Sequence, residues 1–258
     1  MADQHIASRF DRNINVLVLR VMALGGLVEK QARDATRALM AVDVPGAQEV
    51  LATEWLVDRL EVEIDRDLSS ACGRRQPKAS ELRLLTAMAR ATSHLERAGD
   101  EAERIARAVQ SIARHPTELA NLLPADLETA ATLAASQLRR ALDALVRLDT
   151  ADALAVIADD RMLDREFARC LATLATRMAL RPRSVAPGVD LVMAAKAIER
   201  IGHHARNIAE CIIYIVQGAE MRHGTVTEPT CRADKLGADA TVRHERHQDR
   251  TPVHREPT

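Results

Sequence analysis

Apolar residues recur near the start of the chain in steps of four and three: Phe10, Ile14, Leu17, Val21, Leu24 and Val28. That alternation is the seam of a packed helix and predicts one over 7–42, with Pro45-Gly46 as its end. Gly25-Gly26 falls inside it, where each glycine costs about 1 kcal/mol relative to Ala. Close approach of a neighbouring helix and a kink are the two readings. A second seam, Val50, Val57, Leu60, Ile64 and Leu68, predicts a helix over 47–71 closed by Cys72-Gly73. Ser80 is the expected N-cap of a third helix running to 114. His115-Pro116 and Pro124 then mark a connection.

The plan repeats. A fourth helix from 125 carries Leu127, Leu138, Leu142 and Leu145, with Asp149-Thr150-Ala151-Asp152 as its turn. A fifth, over 152–180, carries Val156, Leu163, Phe167, Leu171 and Leu174. The stretch from Arg181-Pro182 to Pro187-Gly188 reads as a turn, and a sixth helix ends on Gly218 in the C′ position. The third and sixth helices contain related strings: His94-Leu95-Glu96-Arg97-Ala98-Gly99-Asp100 and Ala197-Ile198-Glu199-Arg200-Ile201-Gly202-His203, each followed further on by an Ile-Ala pair. A match at such long separation indicates a duplicated domain rather than a short-repeat solenoid. The expected fold is therefore all-α, two antiparallel three-helix bundles related by an internal pseudo-twofold. The expected domains are 1–116, 117–223 and a polar tail, 224–258, too poor in large apolar residues to offset its ordering entropy.

Composition narrows the function classes. Aromatic residues make up only 2% of the chain, which argues against base stacking or an aromatic ligand cage. The net charge is −1 with acids and bases interspersed, so no nucleic-acid footprint stands out. Cys72, Cys170, Cys211 and Cys231 form no CxxC pair and read as free thiols in a reducing compartment. No apolar h-region opens the chain and no apolar run approaches bilayer length, so a cytoplasmic protein is expected.

The candidate chemistry lies on the repeated helix. Residues four apart share a face, which puts Glu96, Asp100 and Glu103 on one carboxylate stripe beside an apolar seam of Leu95, Gly99, Ala102 and Ala106. In the second copy Glu199, His203 and Glu210 form the stripe. Gly99 and Gly202 remove a side chain beside it, admitting another helix or an ion. Helix two offers Glu54, Asp58, Glu61 or Asp65 to the first set, and helix five offers Asp160 or Asp164 to the second. Converging carboxylates and imidazole suit Fe, Mn, Zn or, at the acidic copy, Mg. Solvated faces with i,i+4 partners, such as Glu103 with Arg107, are the alternative. The Glu-x-x-His spacing of di-iron bundle oxidases occurs only at Glu220–His223, beyond the helix end. Phosphate is not expected at motifs whose charge is negative. A histidine-bearing tail (His244, His247, His254) adds a weaker metal-binding option.

These strings resemble the PhoU family, whose members carry two E(D)xxxD motifs within LERIGD-like sequence. Leu95-Glu96-Arg97-Ala98-Gly99-Asp100 and Ile198-Glu199-Arg200-Ile201-Gly202-His203 carry the likeness, with support from 21–29, 75–83 and Asn207-Ile208-Ala209-Glu210. The similarity spans roughly 6–223. It implies a cytoplasmic homodimer that negatively regulates phosphate uptake and the phosphate-starvation response. The partners it implies are the phosphate transporter ATPase subunit and a phosphate-sensing histidine kinase, with membrane contact only through them. It also implies metal clusters at the two motifs, as some members hold; with the helix-face reading, the expected ligands are Glu96, Asp100, Glu103 and Asp58 for the first and Glu199, His203 and Asp164 for the second, and no nucleophile–base constellation marks a catalytic residue. The departure is His203, where the family pattern has Asp: imidazole suits Zn or Fe better than Mg and brings no negative charge. The competing reading is a metal-binding helical bundle with a storage or redox role.

Overall fold

The computed structural model describes residues 2–74, 77–116 and 122–218, with the backbone alone for 2–13 and 74. The described chain forms six long helices: α1 Ala2–Ala41, α2 Val44–Arg74, α3 Ala79–Ile112, α4 Ala125–Arg147, α5 Thr150–Leu180 and α6 Val185–Gln217. A short 3-10 turn, Pro182–Ser184, precedes α6. Among the described residues there is no strand, and no helix is long and apolar enough to cross a membrane. The expected tail, with its three histidines, and Glu220–His223 lie outside the described residues.

The predicted seams are the core. Leu17, Val21, Leu24 and Val28 on α1, and Val57 and Ile64 on α2, are fully buried. So are Leu127 and Leu138 on α4 and Val156, Leu163 and Leu174 on α5. Ile14, Leu60 and Phe167 are partly buried at the core's edge, and Leu171 is 40% exposed, because it lies off the strip that α5 turns inward. Helices α1, α2 and α3 pack on one another, and so do α4, α5 and α6; α3 and α6 run against each other between the two sets. Each motif helix is thus covered on more than one side, which is why Leu95, Gly99, Ala102 and Ala106 are all buried.

Several helix ends differ from expectation for local reasons. Pro45-Gly46 does not end α1 but opens α2, where a proline in the first turn costs no hydrogen bond. Pro187-Gly188 sits in the first turn of α6 for the same reason. The cap of α3 is Lys78, not Ser80; its backbone N–H donates to Glu81 Oε2 at 2.8 Å, so the first turn is satisfied from inside the helix. The expected C-terminal glycine holds: Gly218 has φ 68° and its N–H donates to Tyr214 O at 3.0 Å.

The duplication is visible in the backbone. Val42 and Leu148 are the two non-glycine residues with left-handed φ among those described, at 52° and 51°, and they occupy the same turn in the two halves. In both, the following Asp closes the turn: Asp43 N donates to Ala38 O at 2.9 Å and Asp149 N to Ala144 O at 3.0 Å. Asp149 Oδ1 then accepts from Ala151 N and Asp152 N, an N-cap that starts α5 at Thr150, two residues earlier than expected. At Gly25, an added Cβ would lie 2.5 Å from Leu142 Cδ2, so this glycine is a close approach of α1 to α4. Nothing lies within 4 Å of the equivalent atom on Gly26, and α1 is one continuous helix.

Candidate metal centres

The glycines of the motifs seat the facing helix. An added Cβ on Gly99 would lie 3.4 Å from Val57 of α2 and 3.5 Å from Gln31 Oε1 of α1. On Gly202 it would collide with Leu163 of α5 and come within 2.6 Å of Gln137 Oε1 of α4. Gly99 faces the same pair of positions that Gly202 does, so Val57 matches Leu163 and Gln31 matches Gln137. Both glutamines are buried. The glycines make room for a helix rather than for an ion.

With those pairs superposed, the acidic residues fall into register. In the first copy α2 supplies Glu54, Asp58 and Glu61, and α3 supplies Glu96, Asp100 and Glu103. These carboxylates act on one another. Burial, then a hydrogen bond and repulsion from Glu103 and repulsion from Asp58 and Asp100, push Glu54 up to about 7. Glu61 is raised by burial and by Asp65, Asp58 and Asp100. Glu96 is raised by burial, Asp100, Glu61 and Asp58. Asp100 is raised chiefly by burial, against the lowering effect of Arg104 and Arg200. Arg107 holds Glu103. The structure thus gathers Asp58, Glu96, Asp100 and Glu103, and adds Glu54 and Glu61 from the set of α2 candidates. Carboxylates whose charged forms are mutually disfavoured are a donor set that a hard cation relieves, so the residues fit such an ion.

The equivalent positions of the second copy are Asp160, Asp164 and Phe167 on α5 and Glu199, His203 and Arg206 on α6. His203 Nε2 lies 3.1 Å from Asp164 Oδ1, 3.6 Å from Asp160 Oδ1 and 3.7 Å from Glu199 Oε1. Cations that have no counterpart in the first copy also pair with two of these carboxylates. Arg206 Nη1 donates to Asp160 Oδ2 at 3.1 Å and Lys196 Nζ to Glu199 Oε1 at 2.8 Å. Lys196 also sits 5.1 Å above the Phe167 ring. Glu210 leaves the stripe to pair with Arg206 at 3.3 Å, reversing the sense of the Glu103–Arg107 pair. The two carboxylates and the imidazole that converge here fit a divalent ion of borderline softness.

Sequence reasoning brought Glu199, His203 and Asp164 together but left Asp160 as one of two options, and it missed Lys196, Arg206 and Phe167 as parts of the site. Aligning α2 with α5 on Val57 and Leu163 is the signal that finds them. It also missed the seam between the halves. Arg200 of the second motif reaches Glu101 of the first at 3.0 Å, and Glu101 is 2% exposed. At the position matching Glu101 stands His204, its ring 5.7 Å from that of His94. Burial, and then the neighbouring His94, Arg200, Arg97 and His203, lower its pKa to about 4, so it is neutral at pH 7.

A duplicated three-helix unit with charged motif helices packed at its centre defines an all-α bundle protein whose functional residues lie on core helices rather than loops. The PhoU domain model matches residues 21–109 and again 127–212. The chain is 39% identical over 223 residues to a phosphate-specific transport system accessory protein PhoU homolog of a Burkholderia species, covering 86% of this chain and 95% of that one. It is 32% identical over 222 residues to the PhoU of Escherichia coli K12, covering 86% and 90%. The crystal structure of PhoU from Pseudomonas aeruginosa superposes with a TM-score of 0.78 at 34% identity, over 81% of this chain and all (100%) of that one. The Streptococcus pneumoniae phosphate transport system regulatory protein PhoU shares the fold, with a TM-score of 0.75 at 23% identity over 82% of this chain and 98% of that one. The chain belongs to the PhoU family.

Proposed function

We propose that this chain is an accessory protein of a phosphate transport system that lowers phosphate uptake and represses the phosphate-starvation response. It acts by contacting the transporter ATPase subunit and the phosphate-sensing histidine kinase, as a homodimer in the cytoplasm. The observation that carries this reading is the family match over both halves, motif helices included, to relatives named for that transport system. The mixed surface charge agrees with protein partners rather than nucleic acid. The test is expression of starvation genes at high phosphate with and without this chain, in a background lacking any second copy. Unchanged repression on its removal would sink the proposal. Pull-down of the ATPase and of the kinase then checks each contact separately, and sedimentation checks the dimer.

We further propose that the two motifs hold metal ions, which tie α2 to α3 and α5 to α6 and so set the surface offered to partners. The raised carboxylates of the first motif support this reading. Elemental analysis of chain purified without chelator, beside Glu96→Ala with Asp100→Ala, tests it. A metal-free parent would end it, and with it the alternative of a storage or redox role.

A further inference from the structure

Along α3, on the side turned toward α6, an arginine stands at every seventh residue: Arg83, Arg90, Arg97 and Arg104. We propose that this row, with Arg200 and Met193 of α6 beside it, is the docking surface for an acidic amphipathic helix of a protein partner, laid along α3 with a carboxylate at every seventh residue. This rests on the reading that the chain works by contacting proteins, and it adds the surface and the chemistry of the contact.

The two helices run antiparallel, which brings successive points of α6 against the row. Gly218 lies against Arg83, where an added Cβ would be 3.8 Å from the guanidinium Nε. The Arg90 guanidinium sits 5.0 Å above the Tyr214 ring. His204 meets His94, and Arg200 reaches Glu101 at 3.0 Å. Charge along this line does not cancel. The buried Glu101 is shared by Arg200 and by Arg104, at 2.6 Å, and among the described residues no carboxylate pairs with Arg83 or Arg97. Glu96 and Asp100 stand on the α2 side of α3, with Asp58. Polar atoms on the line also lack partners among the described residues: Arg83 Nε, and both ring nitrogens of His204, which is 8% exposed. Buried polar atoms left unpaired cost free energy, and an incoming carboxylate supplies acceptors where the chain supplies none.

Spacing chooses a helix as the occupant. Seven residues are two turns, about 10.5 Å, the interval at which two helices packed side by side present the same faces to each other again. The row spans about 31 Å. A partner helix with acids at that interval meets all four guanidiniums, whereas a flexible polyanion needs no period. The acidic stripes of the two motifs flank the row and repel a broad polyanion, but they leave room for a helix about 10 Å wide. Beyond Arg200 the same face of α6 continues to Met193 and Val189, 61% and 51% exposed. The partner helix therefore carries an apolar side chain at that end, which gives the contact an apolar anchor beside a charged flank. Stacking on Tyr214 fixes the Arg90 fork before a partner arrives and so lowers the cost of ordering it. The positions of α6 equivalent to the row are Ala186, Met193, Arg200 and Asn207, so the row belongs to the first half alone.

The test uses the full chain and a labelled helical peptide of about four heptads, with Glu at one position of each heptad and Leu at one end. Its control is a peptide of the same composition with the Glu interval scrambled. By fluorescence anisotropy the chain is expected to bind the peptide, and the scrambled control at least tenfold more weakly. Arg83→Gln with Arg97→Gln is expected to weaken peptide binding at least tenfold while keeping the parent's circular dichroism and melting temperature. Arg97→Lys, which keeps the charge, is expected to stay within threefold. Arg97→Glu is expected to prefer a peptide whose facing Glu is replaced by Lys, a charge swap that a misfolded variant cannot give. No binding of the peptide, equal binding of the scrambled control, or affinity unchanged in the double variant would overturn the proposal. So would inorganic polyphosphate or single-stranded DNA binding the row more tightly than the peptide does. The double variant also enters the pull-down of the ATPase and the kinase. Capture by parent and variant alike overturns this surface and leaves the contact reading standing. If the parent captures neither protein, the contact reading falls, and peptide binding that the double variant loses still supports the row.

Discussion

Beside Gly99, six carboxylates from α2 and α3 crowd together, and burial and mutual repulsion raise four of them, Glu54, Glu61, Glu96 and Asp100; beside Gly202, the matching positions hold three carboxylates, an arginine, an imidazole and a phenylalanine, and Lys196 adds a second cation. Helices, turns and the glutamine beside each glycine are common to both halves. What has diverged is the charge carried on a shared scaffold. A helix pair can therefore keep its packing strip while its polar stripe is rewritten, because the two lie on different faces. The first copy sets carboxylates against one another, with four of them raised by burial and repulsion. The second is nearly balanced by its own side chains.

The largest effect should come from divalent metal. Ligand present at about 100 times its Kd stabilises by about 2.7 kcal/mol. Adding Mn2+ to metal-free chain should raise the melting temperature by several degrees, a gain abolished by Asp58→Asn with Asp100→Asn. A gain that survives this pair of changes would remove the distinction between the halves.

Next comes the packing beneath the motifs. Gly202→Ala forces Leu163 and Gln137 aside and should cost about 1–3 kcal/mol. Gly99→Ala meets nothing closer than 3.4 Å and should be neutral or stabilising, through helix propensity of up to about 1 kcal/mol. Urea denaturation of the two variants checks the sign difference, and equal costs would mean the halves pack alike.

The shared turn offers a smaller contrast. Leu148 is 40% exposed, so Leu148→Gly should relieve its left-handed backbone and gain about 0.5–1 kcal/mol. Val42 packs against the core, so the same change there should gain less or nothing. Thermal melts of the pair decide.

The smallest effect concerns pH, with chelator present. Glu54 is raised from 4.5 to about 7. The folded state therefore binds its proton more tightly than the unfolded chain does. Its contribution is fully present below pH 4.5 and is lost as the pH rises through 7. Glu54→Gln, which cannot ionise, should match the parent at low pH and exceed it at pH 8, by under about 1 kcal/mol because the group is part-exposed. Glu199→Gln in the second copy should lose stability instead, since it weakens the Lys196 pair. Urea titrations at pH 5 and pH 8 measure both.

The order and number of helices were legible because each has an apolar seam of unmixed period, and the duplication was legible because Glu-Arg-x-Gly recurs on α3 and α6. The helix starts at Val44 and Val185 were not, since Pro45 and Pro187 read as breakers yet proline is welcome in a first turn. Of the site, the residues on one helix were legible from i,i+4 spacing. Those contributed by α2 and α5 were only a set of options, because spacing within one helix carries no information about which turn of another faces it.

By itself, then, the sequence determined an all-α duplicated fold, the seams that form its core and the exchange of Asp for His203. Tertiary packing decided the rest. The contacts of Gly99 with Val57 and of Gly202 with Leu163 set the register between helices. That register places Asp160 under His203 and puts Arg206 and Phe167 where the first copy keeps acids. The reason is physical: local periodicity chooses which face of a helix is buried, but only the interlock of side chains at a close crossing fixes how far one helix slides along another.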